Sequence, residues 1–105
     1  MKQDQTEGKL PGEELVLQGL ADLAQDRLTE NSLLVLIASP RLRGLGIAVP
    51  DKRLSQPYEH ALYELLEERL GAAAHSYYNS LIRRIVSYAR ALEREKSRNG
   101  VMREA

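Results

Sequence analysis

Two histidines and no cysteine bound the chemistry open to this chain. The most suggestive spacing is Arg69, five residues, His75, one residue, Tyr77. An imidazole of near-neutral pKa can take a proton from a hydroxyl. A guanidinium can stabilise charge developing on phosphorus. A second group is His60 and Glu64, one helical turn apart, with Glu67, Glu68 and His75 nearby in sequence. Carboxylate metal sites in helical bundles need Glu-x-x-His on two helices, and no Glu-x-x-His occurs here. That group is expected to be a solvated acidic face, with no metal and no cofactor. The absence of cysteine excludes a thiol nucleophile, disulfides and cysteine-ligated zinc. Gly44-x-Gly46 is not a phosphate loop, because it lacks a preceding strand, a third glycine and the Lys-Ser/Thr pair.

A third group is spread along one helical face. Ser76, Ser80, Arg83, Ser87, Arg90 and Arg94 fall within a narrow arc, with Arg84 and Arg98 flanking it. Small hydroxyls between guanidiniums leave space for an anion or for a partner's carboxylates. Arg83, Arg90 and Arg94 are therefore the candidate anion or partner contacts. The expectation that ranks first is a solvated face, because a nucleic-acid binder is usually more basic overall and this chain has a formal net charge of zero. The charge is unevenly placed. Residues 1–71 hold 8 basic and 12 acidic side chains, and residues 72–105 hold 7 and 3. That asymmetry predicts an acidic part packed beside a basic helix.

The Arg69–His75–Tyr77 spacing resembles the motif of HEPN-domain ribonucleases, in which Arg is followed by His after four to six residues. Some branches of that family carry a Tyr two positions after the His. The resemblance implies a small all-α fold and metal-independent cleavage of RNA, with Arg69 and His75 acting across a dimer and Tyr77 beside them. It covers only these few residues. The position after the Arg, often polar in that family, is Leu70 here.

The elements that must position these residues read as helices. Pro11-Gly12-Glu13-Glu14 marks a first helix start, followed by an apolar stripe of Val16, Leu17, Leu20, Leu23, Ala24 and Leu28. Asp22 falls on the solvated side of that wheel, and Gly19 inside the run marks a close helix contact. Thr29 is an N-cap for the apolar run Leu33–Ala38. That run could be a buried helix or a buried strand. Helix is favoured, because no second strand is available to pair its backbone. Ser39 and Pro40 break it, with Ser39 capping a fresh turn. Ile47 and Val49 anchor the loop that follows. The third helix buries Tyr58, Ala61, Leu62, Leu65, Leu66 and Leu70 and ends at Gly71. The last helix, Ala72 to about Ser97, carries a seam of Ala74, Tyr78, Leu81, Ile85, Tyr88 and Leu92 at steps of four and three.

These readings combine into one all-α domain over residues 11–97. Four helices form a bundle-like core, with a kinked or broken second helix and a C-terminal antiparallel hairpin. Residues 1–10 are expected to be a disordered tail and 98–105 a frayed one. The longest apolar run is too short to span a bilayer, and the polar N-terminus is no signal peptide, so a cytoplasmic location is expected. A core this small favours association. Tyr78, Leu81, Ile85, Tyr88 and Leu92 are the expected interface with a second copy or another protein. The leading functional expectation is a helix-association protein without catalysis. The ribonuclease reading and the anion- or nucleic-acid-binding reading stand behind it.

Overall fold

The computed structural model of the chain describes the backbone of residues 10–104 and the side chains of residues 10–97. Helical spacing of the apolar residues yields α1 (Glu13–Ala24), α2 (Glu30–Ile37), α3 (Ser39–Gly44), α4 (Tyr58–Leu70) and α5 (Ala74–Glu104). A single 3-10 turn, Gly71–Ala73, joins α4 to α5, and no strand occurs among the described residues. The chain is all-α, with the expected second helix broken into α2 and α3.

The ambiguous apolar run is helical, and it is the centre of the fold. Leu33, Leu34, Val35 and Leu36 are each at most 1% exposed. Four consecutive buried residues mean that α2 is enclosed on every side, and it touches α1, α3, α4 and α5. Its start is fixed by Thr29. The Thr29 hydroxyl accepts from the Ser32 N–H at 3.1 Å, and Ser32 Oγ accepts from the Thr29 N–H at 2.7 Å. This is a capping box with serine in the third position. The break falls at Ala38. Ser39 makes no capping bond and sits buried in the first turn of α3, followed by Pro40. The expected Ser39 cap is thus corrected: Pro40 needs no N–H in that turn, so the chain restarts without a side-chain cap.

α1 departs from its expected stripe. Val16, Gly19 and Leu23 face the core, whereas Leu17 is 55% exposed and Leu28 is 41% exposed. Asp22, expected in solvent, is buried. The cause is the contact at Gly19. A Cβ there would lie 2.5 Å from both Asn31 O and Val35 Cγ2. α1 is therefore turned to bring its glycine, not its widest apolar arc, against α2. The helix ends with Asp26 at φ 59°, its N–H bonded to Leu23 O and that of Arg27 to Asp22 O, a Schellman closure.

α4 buries Leu62 and Leu66 and turns back through the 3-10 element to pair with α5. The Tyr63 ring meets those of His75 and Tyr78 edge-on, at 6.5 Å and 5.7 Å. Along α5, Ala74, Leu81, Ile85 and Tyr88 are buried within this same chain, while Tyr78 and Leu92 lie at the core margin. The seam expected to meet another protein thus closes the domain's own core. Val49 and Ile47 anchor the loop as expected. Arg43 holds it, with Nη2 donating to Val49 O at 2.9 Å.

Leu10 packs on the core and its N–H donates to Glu13 Oε1. The rest of the expected N-terminal tail lies outside the described residues. α5 continues to Glu104, beyond the predicted limit at Ser97; the side chains from 98 on lie outside the described ones. No described helix is long and apolar enough to cross a membrane.

Candidate functional site

Arg69, on the last turn of α4, reaches back to the first residue of α2. Its Nε donates to Glu30 Oε2 at 2.7 Å and its Nη2 to Glu30 Oε1 at 2.8 Å. This fork-to-carboxylate geometry matches both donors to both acceptors. The Glu30 carboxylate holds the guanidinium above its usual pKa. The guanidinium carbon also lies 5.3 Å from the centre of the Tyr77 ring, within cation–π reach. Arg69, Glu30 and Tyr77 line an open cleft of about 710 Å³, with Leu15 and Leu65 as its apolar walls.

Asp22 and Thr29 also line this cleft. Asp22 Oδ2 accepts from the Thr29 hydroxyl at 2.6 Å, and Oδ1 accepts from Gln18 Nε2 at 3.0 Å and Arg27 Nη2 at 3.4 Å. The Thr29 and Gln18 donors hold this carboxyl below the usual aspartate range. Asp22, Glu30 and Arg69 already have their partners, so these three groups latch α1, α2 and α4 together, and Glu68 is the one charged lining residue without a partner among the described residues.

His75 is not part of it. Two positions on a helix are about 200° apart, so His75 and Tyr77 leave α5 on opposite sides. His75 is exposed, 3.3 Å from Asn79 Nδ2 and edge-on to Tyr63. The structure brings Arg69 to Tyr77 and leaves His75 on another face. His60 lies 3.8 Å from Glu64 on an exposed surface. No cluster of three metal-ligating residues occurs among the described residues. Burial raises the phenol pKa of Tyr78 and of Tyr88, with the charges of Glu59 and Glu13 adding to it respectively.

Acidic α4 lies beside basic α5 as expected, although no ion pair joins the two among the described residues. Among the described residues, the bridges that join separate helices are Arg69–Glu30, Arg84–Glu14 and Arg41–Glu93. The Ser/Arg face of α5 is outward, as expected. Arg83, Arg90 and Arg94 are exposed, and none has a hydrogen-bond or ion-pair partner among the described residues. Ser80, Arg83, Arg84 and Ser87 form one wall of a groove of about 460 Å³ whose other wall is Pro11 and Gly12.

Two features escaped sequence reasoning. One is the Asp22–Thr29 bond, since an aspartate seven residues before a cap carries no local signal. The other is the outer face of α1. Leu17, Ala21 and Ala24 are all exposed and recur at steps of four and three, and Leu28 extends the row past the helix end. The signal for it was present: the α1 stripe is wider than one core face can absorb.

Comparison with known proteins gives no matching family model, no matching curated protein and no matching solved structure.

Proposed function

We propose that this chain is a cytoplasmic helix-association protein that acts by pairing with a second copy of itself through the outer face of α1. The observation that carries the reading is the row Leu17, Ala21, Ala24 and Leu28. Among the described residues, the large hydrophobic side chains left exposed are Leu17, Leu28 and Tyr77, and two of the three lie on this row. The two alanines allow a second helix to approach closely. The row also suits a twofold, self-complementary contact. With the axis between Leu20 and Ala21, two antiparallel α1 helices set Leu17 against the second copy's Ala24. The same axis brings Glu14 toward the second copy's Arg27. Both are exposed, with side chains 65% and 60% accessible.

A single pair of short helices buries less than the roughly 1,200 Å² of a stable complex, so the dimer is weak, with a dissociation constant in the micromolar range or above. Sedimentation equilibrium tests this. Wild type shows a concentration-dependent monomer–dimer equilibrium, and Leu17→Glu is a monomer throughout with unchanged helicity. A wild type that stays monomeric at high micromolar concentration, or a Leu17→Glu variant that dimerises as well as wild type, refutes the proposal.

A further inference from the structure

From the groove between α5 and the start of α1, we infer a second site, one that binds a phosphate group. It lies on the Arg face of α5 and not on the Leu17 row, and it shares with the self-association reading only Glu14. Ser80, Arg83, Arg84 and Ser87 stand at i, i+3, i+4 and i+7, so all four line one wall. That wall offers two guanidiniums and two hydroxyls to a single small volume. The opposite wall is Pro11 and Gly12, of which Gly12 has no side chain to fill the groove. The approach there is close. A Cβ on Gly12 would lie 2.7 Å from Arg84 O, and Gly12 itself has φ 77°.

Arg84, on the longer wall, already holds an anion. Arg84 Nη2 donates to a carboxylate oxygen of Glu14 at 3.2 Å. Both side chains are largely exposed, 45% and 65%, and an exposed pair of this kind is exchanged at little cost. Arg83 has no partner among the described residues. A phosphate can take the Glu14 position on Arg84, add the free Arg83, and accept from the Ser80 and Ser87 hydroxyls. Three or four acceptor oxygens on one atom match this donor set better than one carboxylate does. Glu14 is then an internal competitor of the ligand.

Arg90 and Arg94 continue the same face away from the groove. At 1.5 Å rise per residue they lie roughly 10 Å and 16 Å along the axis from Arg83. They contact a chain of phosphates and leave a single phosphate untouched, which separates the two sources of the group.

The test uses the full chain at concentrations below those at which it self-associates. Inorganic phosphate is titrated while the backbone amide resonances of Gly12, Ser80 and Arg83 are followed. A fluorescein-labelled single-stranded oligoribonucleotide is titrated by anisotropy at low salt. Expected are saturable shifts at the groove with phosphate, a loss of about tenfold or more in affinity for Arg83→Ala, and tighter binding for Glu14→Gln. If the Arg90→Ala/Arg94→Ala double variant weakens the oligoribonucleotide but not phosphate, the group belongs to a nucleic-acid backbone. If it weakens neither, the group is carried by a small molecule. No saturable shift and no anisotropy change at low salt overturns the site. So does binding that Arg83→Ala leaves undiminished, or that Glu14→Gln weakens. Arg83 and Glu14 are exposed, and unchanged circular dichroism spectra show that the variants remain folded.

Discussion

Replacing Gly19 by alanine reverses the sign that helix propensity alone would give. In an exposed helix interior, Gly→Ala gains about 1 kcal/mol. Here the new methyl carbon would lie 2.5 Å from Asn31 O and 2.5 Å from Val35 Cγ2, about 1 Å inside ordinary contact distance. Neither neighbour can step aside. Asn31 O is backbone in the first turn of α2, and Val35 is fully buried and, being β-branched in a helix, held to one rotamer. α1 and α2 must therefore separate, and overpacking of that kind costs up to about 3 kcal/mol or more. After the propensity gain, the net loss is about 2 kcal/mol, which lowers Tm by about 8–16 °C in a domain of this size. Urea denaturation followed by far-ultraviolet circular dichroism measures it. Gly44→Ala is the internal control. It is also helical but has nothing within 4 Å of the added carbon, so it should be neutral or stabilising by at most about 1 kcal/mol. A Gly19→Ala protein as stable as wild type, or more so, would refute the close α1–α2 approach on which the description of α1 rests.

Thr29→Ala removes the α2 cap and should cost about 1 kcal/mol by the same denaturation assay. The Asp22 carboxyl is held low by its bonds to Thr29 and Gln18. Its contribution is therefore complete above the unfolded value of about 4 and is lost as pH falls through the lower folded value. The stability gap between wild type and Asp22→Asn should be constant at neutral pH and shrink in acid; a gap independent of pH would show that the carboxylate charge is not what stabilises. Ile85→Asp places a charge at a position 3% exposed and should cost more than about 4 kcal/mol, leaving the domain unfolded by circular dichroism. An unchanged Tm would mean that the opposite face of α5 is the buried one. Structured RNA incubated with wild type or with His75→Ala should remain equally intact, because the Arg69 guanidinium is already held in a fork by the Glu30 carboxylate. Cleavage by wild type that His75→Ala abolishes would favour the ribonuclease reading instead.

Much of the fold is legible in the residues. The steps of four and three in Ala74, Tyr78, Leu81, Ile85, Tyr88 and Leu92 give the core face of α5, and Thr29 and Pro40 give the ends around the break. The lack of a second strand favours helix over strand for Leu33–Ala38, and the run is helical through Ile37. What periodicity does not contain is which helix lies at the centre. α5 has the cleanest amphipathic pattern, yet α2 is the enclosed element, and enclosure erases the polar face on which periodicity depends. The rotation of α1 was illegible for a related reason. A glycine lets two backbones meet, and that contact outweighs the wider arc containing Leu17 and Leu28. The candidate site divides along the same line. The outward arginines of α5 follow from local spacing, whereas the Arg69–Glu30 fork and the Asp22–Thr29 bond depend on how separate helices meet. Tyr77 joins Arg69 and His75 does not, because the two leave α5 on opposite sides.

In the proposed dimer, α1 pairs with α1 of a second copy around an axis beside Ala21. The chain contains no cysteine, so one introduced thiol reports its own surroundings. Ala21→Cys should oxidise rapidly to a disulfide-linked dimer at micromolar protein concentration, and adding Leu17→Glu to that variant should abolish the cross-link. Ala48→Cys, also exposed but on the loop after α3, should cross-link only slowly. An Ala21→Cys protein that cross-links no faster than Ala48→Cys would refute this pairing.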